Sequence, residues 1–331
     1  TSPKSAICSP LEFTLYETPL TFDASFFTNK TTGQLIEAAN QVPSYFMVYY
    51  PESSFRPYIN FNDDQRTGFD IAVNYKKQWG DFGFQVGANY TYYTTKATKR
   101  DDTNFADKYQ YRQGKPVDAI WGYECLGFFK DEADIQASAN QSWFGQTIAP
   151  GDLKYKDQNG DNKIDDKDQV NLTKGGWYGA PSTLGVNVTL KYKNFTLFML
   201  GVGGFGGHGV RNNSYWWVKG EDKYSAAVRD RWTPETAKTA QYPRLTTSNG
   251  NNNYQTSNFW IYSTSRFDLA KVQLTYDFPK NLFGKSFVKG ASVYVSGNSL
   301  LTIAKEREFL EMNIGSAPQT RFYNLGVNVA F

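Results

Sequence analysis

Nowhere in this 331-residue chain do about 18 apolar residues run together, which excludes a transmembrane helix. Histidine is almost missing: His208 is the only one, and no nucleophile motif or second histidine accompanies it. The chain is therefore not read as an enzyme. The glycine run around His208, from Gly201 to Gly209, lacks the Lys-Ser/Thr ending of a phosphate loop, and is expected to let the backbone bend or pack tightly at a strand end. Cysteine is scarce too; Cys8 and Cys125 lie far apart and are read as unpaired, although the compartment argued below permits a disulfide. A net charge of +3 is too small to argue for nucleic acid. An initiating Met and an apolar secretory segment are also missing, so the chain reads as processed or as a piece of something longer.

Aromatic rings and alternation are abundant. Phe, Trp and Tyr make up 17% of the residues, a level suited to membrane-water interfaces. At the carboxyl end Tyr323, Leu325, Val327, Val329 and Phe331 alternate with Asn324, Gly326, Asn328 and Ala330, and successive side chains of a strand point to opposite faces. The pattern recurs in Phe69, Ile71, Val73 and Tyr75, in Phe82 through Tyr92, in Leu184 through Tyr192, and in Val272, Leu274, Tyr276 and Phe278. The opposite face of the last run carries Lys271 and Asp277. A soluble sandwich would not accept charges on its core face with aromatics outside, whereas a wide membrane barrel sets its polar face on a wet lumen and its apolar face in lipid. The runs are about ten residues long, which suits a tilted strand crossing a bilayer.

The fold expected is thus all-β, the C-terminal portion of a transmembrane antiparallel β-barrel. About nine strands are expected, near 10–16, 20–30, 67–77, 81–96, 183–194, 195–203, 266–278, 291–303 and 321–331. Single-chain bacterial barrels have even strand numbers, so an odd count ending in a terminal-type strand points to part of a larger barrel. Connections alternate between tight turns, such as Tyr16 to Pro19, Lys77 to Asp81 and Tyr192 to Asn194, and long segments near 31–66, 97–182, 204–265 and 304–320. Outer-membrane barrels keep short turns on the periplasmic side, so the long segments are expected outside the cell, where they carry the function.

The loop at 97–182 holds a calcium-type motif at 157–168. Oxygen donors stand at positions 1, 3, 5, 9 and 12 of a twelve-residue loop, namely Asp157, Asn159, Asp161, Asp165 and Asp168; Lys163 offers its carbonyl at position 7 and Ile164 an apolar anchor at position 8. Asn162 replaces the usual Gly at position 6, which Asn tolerates because it enters the left-handed region more readily than most residues, and Asp168 replaces a bidentate Glu. No helices flank the loop, so a structural Ca2+ is preferred over a sensor, and calcium is preferred over a solvated acidic turn. Trp121, Trp143, Trp177, Tyr178, Tyr215, Trp216 and Trp217 also fall in the long loops. Their rings are candidates for contact with a ligand or a lid, in competition with packing inside the loops or an aromatic girdle at the membrane surface.

The order of segments resembles the C-terminal third of SusC/RagA-like TonB-dependent outer-membrane transporters of Bacteroidetes. It is carried by Thr67-Gly-Phe-Asp-Ile, by Gly114-Lys-Pro-Val followed by Trp121-Gly-Tyr-Glu-Cys-Leu-Gly-Phe-Phe, and by Pro150-Gly-Asp-Leu-Lys-Tyr-Lys-Asp-Gln-Asn-Gly-Asp. Asp230-Arg-Trp-Thr-Pro, Tyr242-Pro-Arg-Leu and the run from Arg266 to Pro279 follow in the same order. The last outer loop departs from the pattern: Ala304 to Glu311 lacks an Asp-Pro-Glu. The resemblance implies a 22-stranded plugged barrel in a Gram-negative outer membrane that imports a nutrient, an oligosaccharide or a peptide. It also implies a SusD-like surface lipoprotein as lid, and TonB acting through a segment outside this sequence. The alternative reading is a calcium-stabilised binding or adhesion barrel without active transport.

Overall fold

Side chains that alternate every residue can share a face across many strands only if the register of each pair keeps them in phase. The computed structural model describes residues 19–41, 57–247, 250–284 and 287–331 in full, and residues 4–14 through their backbone. Its main element is one antiparallel sheet of nine strands in sequence order. These are β1 (Lys4–Thr14), β2 (Leu20–Glu37), β3 (Tyr58–Trp79), β4 (Phe82–Lys99), β5 (Ser182–Tyr192), β6 (Phe195–Phe205), β7 (Arg266–Asp277), β8 (Gly290–Ala304) and β9 (Phe322–Ala330). Each pairs with the next, as the antiparallel expectation requires.

The register joins the apolar positions into continuous rows. Leu20, Tyr75, Val86, Val188, Met199, Val272, Gly297 and Tyr323 stand opposite one another from β2 to β9. The neighbouring row on the other face runs Thr21, Asn74, Gly87, Asn187, Leu200, Lys271, Asn298 and Phe322. The first is apolar apart from Gly297 and the second mostly polar, departing from the pattern at Leu200 of β6 and at Phe322 of β9. Many rings and aliphatic chains of the apolar face lie open, with Leu325 78% and Tyr323 72% exposed. On the polar face Asp70 accepts hydrogen bonds from Thr91 (2.6 Å) and Ser25 (3.3 Å), tying three strands together.

The first four strands are longer than the sequence pattern outlines. Pairing of β2 with β3 continues to Glu37 opposite Tyr58, so the connection expected at 31–66 narrows to 38–57, of which 42–56 lie outside the described residues. Hydrophobic alternation stops where the strands rise past the apolar band, but the ladder hydrogen bonds do not need apolar side chains. The tight turn expected at Tyr16 to Pro19 also lies outside the described residues, apart from Pro19. At the short-turn end, aromatic residues gather on the apolar face. Trp79 stacks on Phe82 (6.1 Å between centroids), Phe195 meets Tyr276 (4.8 Å), and the Lys77 ammonium lies 5.1 Å from the Trp79 ring centre.

One irregularity keeps the faces in phase. Ala270 has no partner on either neighbour: Leu200 pairs with Lys271 and Gly201 with Leu269, while β8 steps from Asn298 to Leu301. Strict alternation carried back from Val272 would turn Leu269 and Phe267 to the polar face; the bulge returns both to the apolar one. Ser299, in the widened part of β8, adopts the left-handed region with φ of 53°. The Phe267 ring then covers Gly201, where a Cβ would come within 2.4 Å of it. Glycine at this position allows the tight packing expected of the run.

Candidate functional site

At the long-loop end, residues 100–181 and 206–265 fold against each other instead of projecting separately. Their apolar side chains close inward. Tyr123, Phe144, Leu153, Tyr155 and Ile164 from the first segment form one core with Val218, Val228, Tyr242, Tyr254 and Trp260 from the second. Rings of Tyr123 and Phe144 meet edge to face (5.3 Å), as do Tyr242 and Trp260 (5.7 Å).

A buried polar lock holds the two segments in register. Asn252 and Asn253 are fully buried, an arrangement that costs stability unless every donor and acceptor is matched. Gln141 donates to the Asn252 side-chain oxygen (2.6 Å), Asn252 donates to the Leu153 carbonyl (2.8 Å), and the Leu153 amide donates to Asn253 (2.8 Å). Asn253 donates in turn to Asp152 (2.8 Å), whose carboxylate pairs with Arg244 (2.9 Å). The last long segment, 304–320, is clamped from the other side. Arg211 pairs with Glu306 (2.7 Å), and its guanidinium lies 4.7 Å from the Trp216 ring centre and 5.5 Å from that of Phe309 on helix α2 (Arg307–Met312). Nothing in the spacing of these residues marked them, because the Asn run at 251–253 reads as an ordinary polar turn.

The acidic loop at 157–168 is anchored on this core. Ile164 is fully buried in it, and its amide bonds the Asn140 carbonyl (2.9 Å) while the Asn140 amide bonds the Asn162 carbonyl (3.1 Å). Asn162 takes the left-handed conformation with φ of 63°. Asp157 accepts from the amides of Gly160 and Asn162 (both 2.7 Å), Asn159 from that of Asp161, and Asp161 from that of Lys163 (both 3.0 Å). Asp165 caps a short 3-10 turn, and Asp168 accepts from Asp165 and Gln158 (both 2.8 Å). Asp168 is fully buried, and burial, with added repulsion from Asp157 and Asp165, holds its carboxyl above the ordinary range. Tyr109, whose hydroxyl bonds the Lys167 carbonyl (2.8 Å), is pushed up to about 12, first by burial and then by the field of Asp107, Asp168, Asp157 and Asp161. Oxygen donors alone suit a hard cation, yet among the described residues no three Asp, Glu, His or Cys side chains converge on one point in metal-binding geometry.

The seven aromatics divide into two groups. Trp217 packs against Tyr254 (5.9 Å) and Trp260 (6.3 Å), Trp216 against Tyr215 (5.2 Å) and Phe309 (5.5 Å), and Trp121 is half-buried beneath Arg112. Tyr215, Trp216 and Trp217 thus belong to the packing of the outer unit. Trp143 (64% exposed), Trp177 (42%) and Tyr178 (78%) stand open to the surroundings. The backbone beside the last two is forced close to a neighbour: a Cβ at Gly176, with φ of 87°, would meet the Gly206 carbonyl at 2.2 Å, and the Gly176 amide donates to the buried Asp118 (2.7 Å). His208 contacts the Gly175 carbonyl (3.2 Å). Burial pushes the Cys125 thiol up to about 11, and the Cys8 side chain lies outside what is described.

No protein-family model matches the chain. Among curated proteins it is similar to TonB-dependent receptor P26 of Formosa agariphila, with 31% identity over 241 residues, covering 66% of this chain and 23% of that protein. It is also similar to TonB-dependent receptor P3 of the same organism, with 22% identity over 354 residues, covering 97% of this chain and 33% of that protein. The chain therefore spans a third or less of the length of these relatives. Among solved structures, the RagAB peptide importer in its open-open state matches 99% of this chain and 34% of its own, with a TM-score of 0.72 and 19% identity. Its closed-closed state gives 0.71 and 20%, again over 99% of this chain and 35% of that one. At these identities the likeness is one of fold.

Proposed function

We propose that this chain, a homologue of the TonB-dependent receptors with the fold of RagA-type transporters, forms the C-terminal part of the wall and outer surface of an outer-membrane nutrient importer. The observation that carries the proposal is the nine-stranded sheet, which leaves its apolar residues on one open face, in a chain that matches the RagAB importer over 99% of its residues. A sheet of this kind needs lipid on one face and a wet interior on the other. The two remaining edges, on β1 and β9, need partner strands, because unpaired backbone groups are costly in hydrocarbon. A 22-stranded barrel supplies them from sequence beyond this chain.

In this reading the unit built from 100–181 and 206–265 faces the outside of the cell and receives a peptide or oligosaccharide together with a SusD-like surface lipoprotein. TonB acts through a segment outside this chain. The relatives' names and the RagAB assembly support the transport class, and Trp143, Trp177 and Tyr178 are proposed as the rings that touch lid or cargo, a reading their exposure supports. Calcium belongs to the proposal as a structural ion of the 157–168 loop, held by Asp157, Asn159, Asp161, the Lys163 carbonyl, Asp165 and Asp168. It would relieve the repulsion that Asp157 and Asp165 impose on Asp168.

The test is uptake by cells carrying the full-length protein. Energy-dependent accumulation of labelled nutrient that disappears when TonB is inactivated, with a surface lipoprotein co-purifying, is the expected result. Binding at the surface without TonB-dependent uptake would favour the adhesion barrel instead.

A further inference from the structure

A cleft of about 670 Å³ opens on the outer unit between helix α1 (Glu132–Gln136), the segment 138–148 and Asn162 of the acidic loop. Its chemistry is unusual for so charged a surface. One ionisable side chain, Glu132, lines it, and the rest are carboxamides, hydroxyls and apolar groups. Two of the carboxamides are already committed. Gln141 bonds the Leu153 carbonyl (2.9 Å) and the Tyr155 amide (2.7 Å), and Gln146 accepts from Asn252 (3.0 Å) and donates to Asp152 (3.3 Å), so both belong to the polar lock.

Other lining groups are not committed. The Asn140 side chain accepts from the Ser142 amide (2.7 Å) and the Gln136 NH2 reaches Glu132 (3.3 Å), while among the described residues the Asn140 NH2 and the Gln136 oxygen have no partner. Among the described residues, the hydroxyls of Ser142 and Thr147 and the carboxamide of Asn162 have no protein partner. All five residues are exposed. The cleft therefore presents donors and acceptors in mixture, none of them charged, beside the apolar Phe129, Ile135 and Ile148. Its floor is rigid, because Asn140 is paired on both sides with the stretch that ends in the buried Ile164. Trp143, between the lining residues Ser142 and Gly145 in sequence, is 64% exposed.

We propose that this cleft binds a neutral saccharide unit, an inference that rests on the import reading and names the chemistry of the captured ligand. A sugar ring offers adjacent hydroxyls, each a donor and an acceptor, and C–H faces that suit apolar floor and aromatic rim. An anionic sugar would meet Glu132 and no cation. An extended peptide is normally captured by a row of open backbone amides or by counter-charges for its termini, and the cleft lining offers neither a free strand edge nor a cationic group.

The experiment is calorimetric titration of the full-length transporter with neutral oligosaccharides of glucan and mannan, a sulfated oligosaccharide and an uncharged peptide. The wild type is compared with the pair Gln136→Ala, Thr147→Ala and, separately, with Thr147→Arg. A neutral oligosaccharide should bind and lose at least ten-fold in affinity in both variants, with the proteolytic fragments of the outer unit unchanged. The proposal is overturned if no neutral oligosaccharide binds, if binding survives both variants, or if only the sulfated or peptide ligand responds to them. TonB-dependent uptake by the same proteins separates the two readings. Uptake that persists while the cleft proves inert removes the saccharide site alone, and uptake absent for every nutrient removes the import reading while the titration still decides the cleft.

Discussion

The sheet and the outer unit solve the same problem with opposite arrangements. In the sheet, Leu325, Tyr323 and Val327 lie on the open face and the polar side chains pair across strands; in the outer unit, Trp260, Leu153 and Ile164 are buried to 2% exposure or less, and the few carboxylates buried with them, such as Asp152, are held by hydrogen bonds. The surroundings decide which arrangement is stable. A residue exposed to lipid loses nothing by being apolar, whereas one exposed to water does. Two kinds of core thus occur in one chain, and a substitution that is harmless in one region should be damaging in the other.

The largest test of this contrast removes an edge. Deleting 321–331 strips β9 and leaves β8 unpaired where lipid cannot satisfy its backbone, so the full-length protein should fail to reach the outer membrane. Normal surface levels of the truncated protein would show that the strand is dispensable. Next in size is Trp260→Ala, which empties the centre of the outer core and should destabilise that unit by about 3–5 kcal/mol. The sheet should still insert, so limited proteolysis should cut 206–265 while heat-modified gel mobility stays normal; loss of both together would mean that the regions fold as one.

Within the sheet the faces themselves can be compared. Val188→Arg should cost about 2–4 kcal/mol if the residue lies near the bilayer midplane, while Thr189→Arg, one residue on and on the polar face, should be mild. Equal folding defects at the two positions would contradict the assignment. In the outer unit, the pair Asp157→Ala and Asp161→Ala should release the 157–168 loop to protease without affecting insertion. Wild-type protein that contains no calcium by metal analysis, and whose loop resists protease equally with and without chelator, would reduce the loop to an acidic turn.

The smallest effect is a pH dependence. A hydrogen bond from Lys154 (2.8 Å) holds the Asp134 carboxyl below its ordinary range. A carboxyl with a lowered folded value contributes stability above its unfolded value of about 3.9 and loses it as pH falls through the folded one. Acidification below about pH 4 should therefore loosen helix α1 by roughly 0.5 kcal/mol, an effect absent from Lys154→Met when amide exchange is followed at that helix.

The strands were readable in the sequence because period-two alternation survives wherever one face meets lipid. Val86, Val188 and Val272, each assigned to the apolar face by its own alternation, share that face and fall in one row. The strand ends were less legible, since Glu37 and Tyr58 pair beyond the apolar band where only backbone hydrogen bonds mark the strand. The spacing of the acidic loop pointed to a special position at Asn162, which is left-handed. The fate of the aromatics could not be read: Trp143 and Trp217 look alike in sequence, and only the long-range partners Tyr254 and Trp260 bury the second. The polar lock was hidden for the same reason, because Gln141 and Asn252 are 111 positions apart.

The unpaired Ala270 also governs which changes of length a wall of this kind can survive. In a strand whose faces alternate, losing a single codon turns every residue beyond it inside out. Loss of Ala270 would instead set Leu269 directly beside Lys271, with Leu269 still facing the same way as Leu301 across the pair, because the extra residue was already outside the alternation. A gene can therefore lose this one codon without scrambling the strand, and at this point the length of β7 is uncoupled from the orientation of its two faces.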